Sequence, residues 1–88
     1  MKMKIETFPS GQLDTNSYLV YGASQGEAVL IDAPFGSADQ IMPRLKEENL
    51  KLRAVLITHG HWDHIGDAAK ISAACQAPII AEIYRYFL

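Results

Sequence analysis

The chain has 88 residues, 49% of them hydrophobic, and a formal net charge of -2 at pH 7. That length allows one domain at most. The apolar content excludes a disordered tail, and the scattered lysines and arginines form no basic stripe of the kind that marks a nucleic-acid partner. No apolar run approaches the roughly 20 residues of a membrane span. The start, Met1-Lys2-Met3-Lys4, leads into an alternating pattern and not into a signal-peptide core. A single cysteine, Cys75, cannot form an internal disulfide, which fits a reducing, cytoplasmic setting.

In chain order, Met3 to Phe8 alternates Met, Ile and Thr/Phe with Lys and Glu, as a half-exposed strand does, and Pro9-Ser10-Gly11 reads as a turn. Asn16 suits the loop before the next strand. Ser17 to Tyr21 and Glu27 to Asp32 are strands joined by Gly22-Ala23-Ser24-Gln25-Gly26, and together they predict a hairpin. Asp32 carries two readings: it orients a ligand histidine from behind, or it stabilises the Ala33-Pro34-Phe35-Gly36 turn through an Asx-type bond. Ser37 and Gln40 have capping-box spacing ahead of a helix to about Asn49. Ile41, Leu45 and Met42 supply its buried face, and Arg44, Lys46, Glu47 and Glu48 a solvated one. Pro43 fits poorly inside a helix and offers an alternative start.

Ala54 to Ile57 is a short apolar run suited to a buried strand. From Ile65 the spacing turns helical, with Ala68, Ala69, Ile71, Ser72 and Cys75 on one face. Cys75 therefore reads as a core residue. Asp63, Asp67 and Thr58 are candidates for serving that helix start. Pro78 to Ala81 predicts another short strand. The end, Ile83-Tyr84-Arg85-Tyr86-Phe87-Leu88, is apolar enough to need cover, either on its own sheet or on another chain.

Between the Ala54–Ile57 strand and the following helix lies the densest chemistry, Thr58-His59-Gly60-His61-Trp62-Asp63-His64. Neutral imidazole and carboxylate are the usual ligands of zinc, and they also suit iron or manganese. His59 and His61 stand two apart, so in an extended segment both rings leave one face. A turn at Asp63 swings Asp63 and His64 toward a second ion, and Gly60 gives the backbone freedom to make it. A lone histidine would be an ordinary loop residue; three with an aspartate at this spacing indicate a metal motif. Trp62 lines a pocket or packs over the loop.

His-Gly-His-Trp-Asp-His matches the His-x-His-x-Asp-His signature of the metallo-β-lactamase superfamily. The longer run Leu56-Ile57-Thr58 through Ile65-Gly66-Asp67 is most similar to its hydroxyacylglutathione hydrolase and thioesterase branch. Asn16-Ser17-Tyr18-Leu19-Val20 and Val29-Leu30-Ile31-Asp32-Ala33-Pro34 resemble earlier strands of the family. The resemblance covers nearly the whole chain but only about the first half of the family's fold. It implies an α+β architecture: one αβ half of an αββα sandwich, with a mixed sheet and two main helices on one face. Residues 1–88 would then be a single, truncated, N-terminal half-domain.

By the same resemblance, His59 and His61 bind a first Zn2+ and Asp63 and His64 a second, with Asp63 also orienting the nucleophile. A later histidine, a bridging aspartate and a last histidine of the family have no counterpart here. The resemblance implies a hydrolase whose metal-activated water attacks an ester, thioester or amide carbonyl of a small-molecule acyl substrate once the site is completed. Its alternative is a non-catalytic assembly module or truncated product. Either way an exposed sheet face needs a partner, a second copy of the chain or a second polypeptide.

Overall fold

The structure, a computed structural model, describes residues 2–22, 26–59 and 62–81, with the Trp62 side chain excepted. The expectations for His61, Trp62 and the apolar C-terminal tail lie outside the described residues. Among the described residues, eight elements follow one another: β1 (Met3–Ser10), β2 (Thr15–Gly22), β3 (Glu27–Ile31), α1 (Ser37–Glu47), β4 (Lys51–Ile57), α2 (Trp62–Ile65), α3 (Ala68–Cys75) and β5 (Ile79–Ala81). The strands form one mixed sheet in the order β1-β2-β3-β4-β5. The first two pairings are antiparallel, as the expected hairpin requires, and the last two parallel.

Side-chain alternation gives the sheet two unlike faces. One carries Leu19, Tyr21, Ala28, Leu30, Leu52, Val55 and Ile57, which pack against Ile41 and Leu45 of α1 and Ala68 and Ile71 of α3. A register shift between Ala28 and Val29 inserts Arg53 into β4, so Leu52 and Val55 both reach this core despite their odd separation. The opposite face holds two cross-strand rows, Ile5–Val20–Val29–Ala54 and Thr7–Tyr18–Ile31–Leu56–Ile80. Met3, Ile5 and Ile80 on it are 59%, 65% and 54% exposed.

Several local expectations change. β1 runs through Pro9 and Ser10, because a proline without an N–H is tolerated on an edge strand; the turn is Gly11–Asp14, with Gly11 at φ +78 and Asp14 at φ +50. β1 also buries the side that looked polar. Glu6, half-buried, meets Arg44 of α1 in a two-pronged ion pair and accepts a hydrogen bond from the buried Tyr21 hydroxyl. Arg44 is thus not part of a solvated face. These donors hold the Glu6 carboxyl down at about 2, the Arg44 bond contributing most. The Tyr21 hydroxyl's bond to Glu6, then burial, pushes the Tyr21 phenol up.

α1 starts at Ser37, not at Pro43. Burying Ile41 and Leu45 on either side of the proline contributes about 3–6 kcal/mol together, which outweighs a penalty of about 3 kcal/mol for an interior proline. The helix closes at Asn49 (φ +53), with Asn49 N–H donating to Lys46 O and Leu50 N–H to Leu45 O, a Schellman-type end. The capping box is not formed. Ser37 Oγ donates to Pro34 O and Gln40 reaches Pro9 O. The first amides of α1 are met instead by buried Asp67, whose Oδ2 accepts from Gly36 N–H and Ala38 N–H at 3.0 Å each. The second helix is two pieces, α2 and α3, and Asp67 leads α3 without capping it through its side chain. Ala69 lies on the exposed side of α3, while Cys75 packs half-buried against the core, and that burial pushes its thiol up.

Asp67→Ala leaves two amides at the start of α1 without an acceptor, so it lowers stability by about 2–3 kcal/mol, measured by urea unfolding. The Glu6 carboxyl is depressed in the folded state, so its contribution is present above pH 4.5 and is lost as pH falls toward 2. Acid titration of unfolding should show that loss in the wild type and a flatter profile in Glu6→Gln, which is less stable at pH 7 by about 1–2 kcal/mol.

Candidate metal centre

β3 and β4 are parallel neighbours, so both C-terminal ends reach the same edge of the sheet and Asp32 arrives beside Thr58. Asp32 turns the chain there with φ +64, a left-handed conformation that aspartate tolerates better than most residues. Its N–H donates to Leu56 O at 2.7 Å. The next residue ties the edge to the histidine segment: Ala33 N–H donates to His64 O, and Asp67 N–H to Ala33 O, both at 2.8 Å. Gly66 allows this approach, since a Cβ there would stand 2.4 Å from Phe35 Cγ and 2.7 Å from Phe35 N.

Asp32 is 4% exposed, and its carboxylate is fully engaged. Oδ1 accepts from Thr58 N–H at 2.8 Å, and Oδ2 from Thr58 Oγ1 at 2.6 Å and from His64 Nδ1 at 3.0 Å. Of its two readings, orienting a histidine is the one these contacts match. An ionised carboxylate only accepts, so His64 Nδ1 carries a proton, and in the neutral ring Nε2 is then the nitrogen with the lone pair. Thr58 has already given its one hydroxyl hydrogen to Asp32. His59 Nδ1, 3.0 Å from Thr58 Oγ1, must therefore donate to it, which makes Nε2 the acceptor nitrogen of that ring as well. One carboxylate thus sets the proton positions on two imidazoles, directly on His64 and through Thr58 on His59. The two rings stand 5.0 Å apart, tilted by 48°.

Asp63, on α2, projects toward the same place. Its Oδ2 lies 3.4 Å from His64 Nε2 and accepts from Thr15 Oγ1 of β2 at 3.0 Å. His59, Asp32 and His64 line one open cavity of about 500 Å³, together with Asp14, Thr15 and Tyr18. The structure brings His59, Asp63 and His64 to this edge; His61 lies outside the described residues. Asp63, Asp67 and Thr58 do not cap α3 with their side chains, contrary to expectation, because each is drawn to a partner on another element. Thr15 and its bond to Asp63 carried no signal in the sequence, since the two are 48 positions apart.

Among the described residues, no group of three or more His, Cys, Asp or Glu side chains is drawn close enough to enclose an ion. The donor chemistry nonetheless fits one. His64 Nε2 and Asp63 Oδ2 face each other at 3.4 Å, a contact that either a proton on Nε2 or a bound cation makes favourable. Two ligands on a tetrahedral zinc, with bonds of about 2.1 Å, stand about 3.4 Å apart.

The sequence matches the family model of the Metallo-beta-lactamase superfamily over residues 10–87. The chain belongs to that superfamily. A hydroxyacylglutathione hydrolase, GloC, of Haemophilus influenzae is 36% identical over 69 residues, 78% of this chain and 32% of that protein. A hydroxyacylglutathione hydrolase of Rhodopseudomonas palustris is 35% identical over 68 residues, 77% of this chain and 26% of that one. Among solved structures, the BLEG-1 B3 metallo-beta-lactamase superposes with a TM-score of 0.77 at 36% identity, over 86% of this chain and 35% of that one. ETHE1 from Myxococcus xanthus gives 0.76 at 28% identity, over 86% and 34%. The chain thus spans about a third of the length of these relatives, and what it contains is the metallo-beta-lactamase-fold sheet with its first helices.

Asp32→Asn puts an N–H at one of the two oxygens: at Oδ1 it breaks the bond from Thr58 N–H, and at Oδ2 it breaks those from Thr58 Oγ1 and His64 Nδ1. Nitrogen-15 spectra of the histidine rings should show the proton of His64 on Nδ1 in the wild type and an Nδ1/Nε2 mixture in the variant. A wild-type His64 protonated on Nε2 would contradict the assignment.

Proposed function

We propose that this chain is the ligand-bearing half of a metal-dependent hydrolase, with His59, His61, Asp63 and His64 holding one or two Zn2+ ions, iron or manganese being the other metals these donors suit. The observation that carries the reading is the His64–Asp63 pair: Nδ1 is held by Asp32 and Nε2 faces a carboxylate oxygen at 3.4 Å. When bound, the ion supplies Lewis acidity and makes water a nucleophile at neutral pH. The chain's own residues do the rest. Asp32 and Thr58 keep the imidazoles in the ligating tautomer, and Asp63 accepts a proton from, and aims, the attacking water. The cavity bordered by Tyr18 and Ile31 receives the acyl group. The names of the two relatives make an acyl thioester the first substrate class to test, with esters and amides after it.

Because the chain spans a third of its relatives, activity is proposed for the assembled site, completed by a second polypeptide or a second copy. A second reading, a non-catalytic assembly module, draws on the apolar sheet face that no described element covers. No described helix is long and apolar enough to cross a membrane, and the lone, half-buried Cys75 suits a cytoplasmic setting.

The test is the zinc-to-protein ratio after dialysis against a weak chelator, with thioester hydrolysis and sedimentation measured on the same samples. The expected ratio is near one or above, falling sharply in His64→Ala and His59→Ala, with hydrolysis confined to zinc-loaded oligomer. An unchanged ratio in both variants overturns the ligand assignment. Zinc-free, inert oligomers in the wild type favour the assembly module.

A further inference from the structure

Thr15 opens β2 at the last rung of the β1–β2 ladder, where it pairs with Ser10. Its place is fixed by the turn before it: Asp14 N–H donates to Gly11 O at 3.3 Å, and both residues take positive φ. That turn packs against the loop after Asp32, since a Cβ on Gly11 would lie 3.5 Å from Phe35 O and 3.8 Å from Pro34 Cβ. The Thr15 hydroxyl therefore sits on a braced strand end, not on a free loop.

Asp63 lies on a helix of only four residues, and the final torsion of an aspartate is broad; among the described residues of α2 its carboxylate meets His64 Nε2, at 3.4 Å, which is longer than a hydrogen bond. Thr15 Oγ1 has one hydrogen to give, and it gives it to Oδ2, the same oxygen that stands 3.4 Å from His64 Nε2. We infer that Thr15 is a positioning residue: its hydroxyl fixes the Asp63 carboxylate so that the remaining lone pairs of Oδ2 face His64 Nε2, where the two side chains would hold a divalent cation together. This inference rests on the proposed metal-binding function. It gives His64 and Asp63 matching supports. Asp32 holds the imidazole from one side, and Thr15 holds the carboxylate from the other.

The substitution that isolates the hydroxyl is Thr15→Val, which keeps the β-branched shape and suits a strand at least as well. Thr15→Ser keeps the donor. Cobalt(II) titration of the 88-residue chain, followed by visible absorption, gives the affinity of each form, and thermal unfolding of the metal-free forms gives their stability. Thr15→Val should weaken cobalt binding about tenfold, in the range for losing a ligand's outer partner, while Thr15→Ser stays within about threefold of the wild type. The metal-free Thr15→Val protein should melt no lower than the wild type. Equal cobalt affinity in Thr15→Val and wild type overturns the role of Thr15 and leaves the metal-binding reading standing. So does a loss matched by Thr15→Ser, or one that appears only with a lower melting temperature, which marks a structural role. A wild-type chain that takes up no cobalt overturns both.

Discussion

The carboxylate of Asp32 is where the sheet and the histidine segment become one object. It is buried at the junction of β3 and β4, and the cost of removing a charge from water, several kcal/mol for an uncompensated ion, is met by three donors. Two of those donors belong to Thr58 and one to His64, so the charge cannot be satisfied unless β4 ends where it does and α2 folds back over the edge. The proton order along Asp32, Thr58, His59 and His64 follows from the same bonds. A metal binding through Nε2 needs imidazoles whose Nδ1 is held as the donor, and here that follows from satisfying one buried acid.

A second carboxylate does comparable work for the surrounding frame. Asp67 follows the His64 turn, yet its side chain serves the start of α1, and its own N–H is taken by Ala33. The loop after Asp32 is thereby clasped on both sides, by Ala33 to the His64 and Asp67 backbone and by Gly36 and Ala38 to the Asp67 side chain. Gly66 lies between these clasps, against Phe35 at a distance that no side chain could share. Loops that carry chemistry are often held by a rigid scaffold. This one is held by backbone bonds and a helix terminus.

Much of this was legible locally and some of it was not. The histidine-rich segment, the parallel strand before it and the apolar faces of α1 and α3 are periodic or contiguous, so a window of a few residues contains the whole signal. The contacts of Asp67 with α1, of Glu6 with Arg44 and of Thr15 with Asp63 span 29 to 48 positions, and no window holds both partners. Ser37 and Gln40 had the right spacing for a capping box, but the distant aspartate supplied a charged acceptor and won the helix start. Glu6 looked solvent-facing because its partner, Arg44, was assigned to a solvated face for the same reason. Local rules fail here where two polar residues far apart in sequence satisfy one another.

The open face of the sheet and the edge that carries the histidines are not separate features. Tyr18 and Ile31 belong to the cross-strand row Thr7–Tyr18–Ile31–Leu56–Ile80 on that face, and both also border the cavity that contains Asp32, His59 and His64. Any polypeptide that packs over this row to bury its apolar surface must also roof the cavity. Exclusion of water from the donors, which strengthens every charge interaction among them, would then come with assembly and not before it. Covering the sheet and closing the site would be a single step, because the same two side chains take part in both.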